Sequence, residues 1–149
     1  MPRGGRRAGD VAGRSPRILV ADPHLGVRER VSRYLAMHHF DVAQAQTDAQ
    51  LRDRVHVARP QLILIEWKLA STPTLPPISW LSESRATRHI PLIVMGDGYD
   101  CGMTIPPVSG ILVKRFSSSW MLDEIRRVLR AHPCPAAAIR PFRLEPLQR

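Results

Sequence analysis

Three acidic residues follow short aliphatic stretches of the chain, and chemistry is most expected at these positions. Asp22, Glu66 and Asp97 stand at or just beyond the end of such stretches, and Lys114 ends another. Ligand sites in open α/β sheets lie outside the carboxyl ends of the strands, so we expect these side chains at one sheet edge. The alternative for Glu66 is that it only solubilises the end of its strand, because charged residues are usually exposed there.

The stretch that positions Glu66 is predicted to be the central strand. Residues 62–65 are four consecutive aliphatic side chains, Leu-Ile-Leu-Ile. This run is too short for a typical helix and lacks polar alternation, which is typical of a parallel strand covered on both faces.

The other elements alternate in type along the chain. Strands are predicted at residues 17–21, 40–43, 90–95 and 111–114, and helices at 26–38, 47–58, 78–86 and 117–131. Residues 69–77 contain three prolines and are predicted to form a loop, and residues 99–110 leave room only for a very short helix. Alternating strands and amphipathic helices predict an α/β fold, a doubly wound five-stranded parallel sheet with helices on both faces.

The positive charge is concentrated near the termini. Of the net charge of +9, residues 1–17 carry +4 (five arginines and Asp10), and residues 132–149 carry +2 (three arginines and Glu145). We predict a flexible basic arm at 1–16, one domain at 17–131 and an extended tail at 132–149. The arm is suited to nucleic acid or an acidic partner, but a solvated tail is the interpretation we favour.

The remaining composition indicates a cytoplasmic protein. Cys101 and Cys134 lack the paired spacing of metal ligands, and no apolar run is long enough for a membrane span. We expect no disulfide framework, no metal bound by histidine or cysteine, and no contact with a membrane.

The order of these elements resembles the receiver domain of bacterial two-component response regulators, most closely the OmpR/PhoB-like branch. The resemblance covers about residues 17–131, and its motifs lie at residues 17–20 together with Arg28, at 59–69, at 89–94 and at 113–117. It implies a receiver, or flavodoxin-like, fold. The chain ends soon after this region, from which we expect a stand-alone receiver without a DNA-binding output domain.

The resemblance also implies a phosphorylation site that has degenerated. In the family, two acids after the first strand and an aspartate after the third hold Mg²⁺, and that aspartate accepts a phosphoryl group. Here the acidic pair corresponds to Asp22 and Pro23, and the acceptor to Glu66. Mg²⁺ needs a near-octahedral set of oxygens, so we expect weak or absent Mg²⁺ binding, no catalytic residue and no ordinary phosphorylation.

The family's switch residues are replaced as well. The hydroxyl after strand four corresponds to Gly96 and the aromatic switch residue to Ile111, whereas the family lysine is kept as Lys114. The segment between Gly96 and Lys114 is shorter than is usual, which predicts a shortened fourth helix.

Two interpretations of Glu66 follow. Its carboxylate either pairs with Lys114 and imitates a phosphorylated aspartate, or is a relic on a scaffold kept for binding. The imitation is partial, because an acyl phosphate carries more charge and more acceptor oxygens than a carboxylate.

We therefore predict a protein that is not an enzyme and that acts as a protein-interaction module. Its output then goes through a partner or through self-association as a homodimer, and we expect the surface at Arg126, Arg127 and Arg130 on the last helix. A solvated basic face is the alternative for these arginines. The rival functions are nucleic-acid binding through the arm and tail, and residual phosphotransfer at Asp22, Glu66 or Asp97.

Overall fold

The computed structural model describes residues 15–73, 75–97 and 108–132. Its strands are β1 (Arg17–Ala21), β2 (Asp41–Ala45), β3 (Leu62–Glu66), β4 (Leu92–Gly96) and β5 (Gly110–Val113). Its helices are α1 (Leu25–Met37), α2 (Asp48–Ala58), α3 (Trp67–Ala70), α4 (Pro77–Glu83) and α5 (Ser118–Ala131).

The five strands form one parallel sheet in the order β2-β1-β3-β4-β5. Strand β3 lies in the middle and all five of its residues are buried, which confirms the central strand expected from the aliphatic run. Because β3 pairs with both β1 and β4, the residues that follow these strands meet at one edge of the sheet. We call this the carboxyl edge.

Alternate residues of each strand face opposite sides of the sheet, and each side has its own apolar core. Helices α1 and α5 cover one side, with Leu35 and Ile125 packed against Val20 and Leu64. Helices α2, α3 and α4 cover the other side, where Leu51 and Leu81 belong to a separate cluster. The predicted doubly wound α/β fold is therefore confirmed.

The loop predicted at 69–77 begins later in the structure, because residues 67–70 form the short helix α3. Glu66 is the cause: its side chain accepts a hydrogen bond from the Lys68 N–H at 2.8 Å and so caps the helix. Helix α4 begins at Pro77, one residue earlier than predicted, since the missing N–H of proline is tolerated at the start of a helix.

Several predicted segments lie outside the described residues. These are the arm before Ser15, the tail after His132, both cysteines, and the segment at 98–107 between β4 and β5, where a shortened helix was predicted. At the described end of the arm, the Pro16 carbonyl accepts a hydrogen bond from Asp41 N–H at 2.9 Å. In the described ranges, no helix has the length and apolar character needed to cross a membrane.

Candidate functional site

Glu66 is the central side chain of the carboxyl edge. It is only 2% exposed, although it is charged, because it ends the buried strand β3. Oε1 accepts the Lys68 N–H, and Oε2 lies 3.3 Å from Nζ of Lys114. Both carboxylate oxygens therefore have partners inside the protein. A buried carboxylate needs such partners because desolvation of an unpaired charge is costly.

Lys114 is brought to Glu66 by the end of β5. Its backbone N–H donates to the Gly96 carbonyl at 2.6 Å, which aligns the ends of β4 and β5. Its side chain is one-third exposed, so solvent screens part of the ion pair. Arg115 then adopts a positive φ of 49°, and the chain turns towards the Ser117 cap of α5. The contact with Lys114 was one of the two alternatives that the sequence left open for Glu66, and it is present in the structure.

Asp22 lies at the end of the neighbouring strand β1 and is fully buried. Its Oδ1 accepts the His24 N–H at 2.8 Å and lies 3.1 Å from Nδ1 of His24. Its Oδ2 has no hydrogen-bond partner within the described ranges. The bond to the residue two positions ahead is a common local pattern for aspartate, and the Asp-Pro-His sequence contains the signal for it.

Arg28 supports the backbone beside Asp22. This arginine of α1 is 7% exposed, and its Nη1 donates to the Asp22 carbonyl at 2.8 Å. Its Nε donates to Oε1 of Gln44 on β2 at 3.0 Å. Arg28 belonged to the sequence resemblance, but its role in joining α1 to β1 and β2 is visible only in the tertiary structure.

The other predicted site residues offer no further buried ligand. Pro23 is exposed and has no side-chain donor or acceptor, and Gly96 is buried at the end of β4 without a side chain. Ile111 lies opposite Val94 in the β4–β5 register and is half-buried. Asp97 follows Gly96 and is exposed.

The donor set at this edge is a poor match to Mg²⁺. The ion prefers several carboxylate and water oxygens in octahedral geometry. Asp22 Oδ2 is a buried carboxylate oxygen without a partner among the described residues, whereas each oxygen of Glu66 has one partner and Pro23 has no side-chain oxygen. Within the described ranges, no group of three or more histidine, cysteine or acidic residues could hold a metal ion.

The three arginines predicted as an interaction surface on α5 have different environments. Arg127 donates to Glu124 at 2.6 Å and to the Ser109 carbonyl at 3.1 Å, so it attaches α5 to the start of β5. The hydrogen bond and negative charge of Glu124 raise the pKa of the Arg127 guanidinium, which stays charged at any pH of use. Arg126 and Arg130 instead line a cleft.

The cleft has a volume of about 440 Å³ and lies at the opposite edge of the sheet, which we call the amino edge. It is formed by three segments that are distant in sequence: Ser15 and Pro16; His38, His39 and Phe40; and Arg126, Leu129 and Arg130. Sequence reasoning named two of these arginines but missed the cleft, since no local motif connects the three segments.

No protein-family model matches the chain, and no curated protein matches its sequence. Solved structures do match its fold. Chemotaxis response regulator CheY4 of Vibrio cholerae is 18% identical, with a TM-score of 0.64 over 77% of this chain and 99% of that one. The fold is that of a receiver domain.

Two further receiver structures give the same result. A response regulator from Desulfuromonas acetoxidans is 19% identical, with a TM-score of 0.67 over 78% of this chain and 98% of that one. A response regulator receiver modulated diguanylate cyclase from Pelobacter carbinolicus is 17% identical, with a TM-score of 0.67 over 78% and 94% of the two chains. In this receiver fold, Glu66 ends the third strand and Lys114 follows the fifth. The OmpR/PhoB-like assignment stays a prediction.

Proposed function

We propose that this chain is an atypical receiver domain that acts as a phosphorylation-independent protein-interaction module in bacterial signalling or transcription regulation. The observation that carries the proposal is the engagement of both Glu66 oxygens, one by the Lys68 N–H and one by Lys114. A phosphoryl acceptor must offer a carboxylate oxygen to the incoming phosphorus atom, and here each oxygen of Glu66 already accepts one hydrogen bond, which makes it a weaker nucleophile.

Loss of the metal site supports the same proposal. Phosphoryl transfer depends on cations that neutralise the charge of the transferring group. Pro23 provides no ligand beside Asp22, and Glu66 is turned to Lys114, so Mg²⁺ binding is weak or absent. The ion pair between Glu66 and Lys114 supports the first interpretation of Glu66, as a partial imitation of the phosphorylated state.

The test measures phosphorylation and the response to a phosphoryl mimic separately. Intact mass is measured after incubation with Mg²⁺ and a small phosphodonor such as acetyl phosphate, and we expect no added phosphoryl group. Fluorescence is then recorded during a Mg²⁺ titration with and without beryllofluoride, in a Trp80→Phe/Trp120→Phe background where Trp67 is the remaining tryptophan.

Trp67 directly follows Glu66 and is half-buried, so it reports on changes at this residue. We expect no saturable response at millimolar Mg²⁺, with or without beryllofluoride. A phosphoryl adduct on Glu66 or Asp22, or a saturable change that requires beryllofluoride, shows that the switch works and contradicts the proposal.

A further inference from the structure

We propose that the amino-edge cleft binds an acidic segment of a partner protein, anchored by an apolar side chain. This inference rests on the proposed function, because it names the class of partner and the surface that such an interaction module uses. The cleft lies at the end of the sheet opposite Glu66: α1 and α5 both leave the carboxyl edge and end beside the starts of β1 and β2.

The cleft presents cations that nothing in the described ranges neutralises. Arg126 and Arg130 are one helical turn apart on the same face of α5, and neither forms an ion pair there. The adjacent Arg127 is different, since Glu124 pairs with it. Asp41, next to the cleft residue Phe40, is paired with Arg17 at 2.6 Å and so does not neutralise the two cleft arginines.

Two imidazoles add hydrogen-bond donors to the same surface. His38 caps the end of α1 and contacts the Tyr34 ring with centroids 4.6 Å apart, which restricts its orientation. His39 follows with a positive φ of 70°, so the backbone turns sharply here. Among the described residues, no carboxylate lines the cleft. Guanidinium and imidazole donors in this arrangement are complementary to the carboxylates of aspartate and glutamate.

The floor of the cleft is apolar. Phe40 and Leu129 are half-buried, and both pack against the core between the sheet and helices α1 and α5. Their outer surfaces, together with Pro16, offer an apolar contact between the cationic side chains. An occupant that uses the whole surface therefore carries both acidic groups and an apolar side chain.

The shape favours a polypeptide segment over a small molecule. Arg126, Arg130 and His39 are exposed, so the cleft is open to solvent along its rim. Small-molecule sites usually enclose most of their ligand, whereas an extended chain can cross an open cleft and leave it at both ends.

The charge of this chain argues against its own segments as the occupant. Residues 1–17 and 132–149 carry net charges of +4 and +2, so neither terminal region supplies an acidic segment. A second copy of the chain, with a net charge of +9, meets electrostatic repulsion on approach. The complementary occupant is an acidic segment of a different protein.

The experiment measures binding of a fluorescein-labelled synthetic peptide, composed of Glu, Asp, Leu and Phe, to the full chain by fluorescence anisotropy. We expect saturable binding that weakens with added salt. The Arg126→Glu/Arg130→Glu variant should bind about tenfold more weakly or worse, because it places like charges opposite the peptide. The matched control is Arg85→Glu/Arg88→Glu, which makes the same charge change at exposed positions after α4 and should leave binding within about twofold.

Two altered peptides separate the contributions to binding. Replacing Leu and Phe by Ser tests the apolar floor, and replacing the acids by Gln and Asn tests the cations; each change should weaken binding about tenfold. Equal binding by the Ser peptide, or equal loss in both arginine variants, shows non-specific charge attraction and overturns the proposal. Tight, Arg126-dependent binding of a nucleoside diphosphate instead of the peptide identifies a small-molecule site and also overturns it.

These results are distinguishable from failure of the proposed function. If the chain does not respond to phosphodonor or beryllofluoride and also does not bind the acidic peptide, only the assignment of this cleft is wrong. If the chain is phosphorylated, the proposed phosphorylation-independent function is wrong, whether or not the peptide binds.

Discussion

At the carboxyl edge of the sheet, the buried Glu66 is partnered within the protein, whereas at the amino edge two arginines form no ion pair with any of the described residues. Glu66 is buried and bonded to Lys114 and to a backbone N–H. Arg126 and Arg130 are exposed beside an open apolar floor. The first arrangement contributes to the protein's own stability, and the second leaves charge available for an external partner.

This comparison separates two uses of charge that look alike in the sequence. Burial of Glu66 requires a partner, so the ion pair is a condition of the fold there. Arg126 and Arg130 of α5 are exposed and impose no such condition. Helix α5 connects the two edges, since it begins at the Ser117 cap near Lys114 and ends with Arg130 in the cleft.

The largest expected effect is a change of the carboxyl edge from inert to reactive. In Pro23→Asp/Glu66→Asp, a second carboxylate lies beside Asp22, and the acceptor side chain is one methylene shorter and less able to reach Lys114. We expect a phosphoryl adduct, measured by intact mass after treatment with acetyl phosphate and Mg²⁺, where the parent shows none. Pro23→Asp alone is the control and should stay unmodified. If the parent chain is phosphorylated to the same extent, its carboxyl edge is not inert and the contrast between the two edges is wrong.

The next effect tests whether the Glu66 ion pair stabilises the fold. Lys114→Met leaves a buried carboxylate without its cation, and we expect a loss of about 2 kcal/mol in the free energy of unfolding, measured with urea. Lys68→Met is the matched control, because it changes the only other lysine, which is exposed. It should change stability by less than about 0.5 kcal/mol.

A second substitution tests whether the loss of stability comes from the unpaired negative charge of Glu66. Glu66→Gln keeps an acceptor for the Lys68 N–H but removes the negative charge, so Glu66→Gln/Lys114→Met should be more stable than Lys114→Met alone. If the double variant is the less stable of the two, the ion pair is not the source of the effect.

A smaller effect tests the helix that joins the edges. Ser117 Oγ accepts the Trp120 N–H at 3.0 Å, and Ser117→Ala should lower the free energy of unfolding by about 1 kcal/mol. Ser118→Ala, at the first helical position, is the control and should change it by less than about 0.5 kcal/mol. Peptide binding at the cleft should be unchanged while the protein stays folded. Weaker peptide binding by Ser117→Ala indicates that the cap also positions the far end of α5.

The smallest expected effect concerns the cleft arginines. Arg126→Ala/Arg130→Ala should change the free energy of unfolding by no more than about 0.5 kcal/mol in urea, because neither guanidinium has an ion pair in the described ranges. Arg127→Ala removes the contacts with Glu124 and Ser109 and should be the more destabilising change. The reverse order shows that the cleft arginines serve the fold and not a partner.

The sequence by itself determined most of the strands and helices and their alternation along the chain. The aliphatic run 62–65 predicted the central strand because a strand covered on both faces needs apolar residues at every position. Thr47 and Ser117 marked the starts of α2 and α5 because their hydroxyls accept backbone N–H groups at a helix terminus. These signals act over a few residues, and local sequence contains them in full.

Only the tertiary structure decided which charges are used internally. Glu66 and Lys114 are 48 residues apart, and the sequence left open whether they pair or whether Glu66 is a relic. The sheet order brings β3 and β5 to opposite sides of β4, and the two side chains then meet beyond it. The cleft depends likewise on α1 and α5 packing on the same side. Such contacts are set by long-range packing, and no local spacing of residues encodes them.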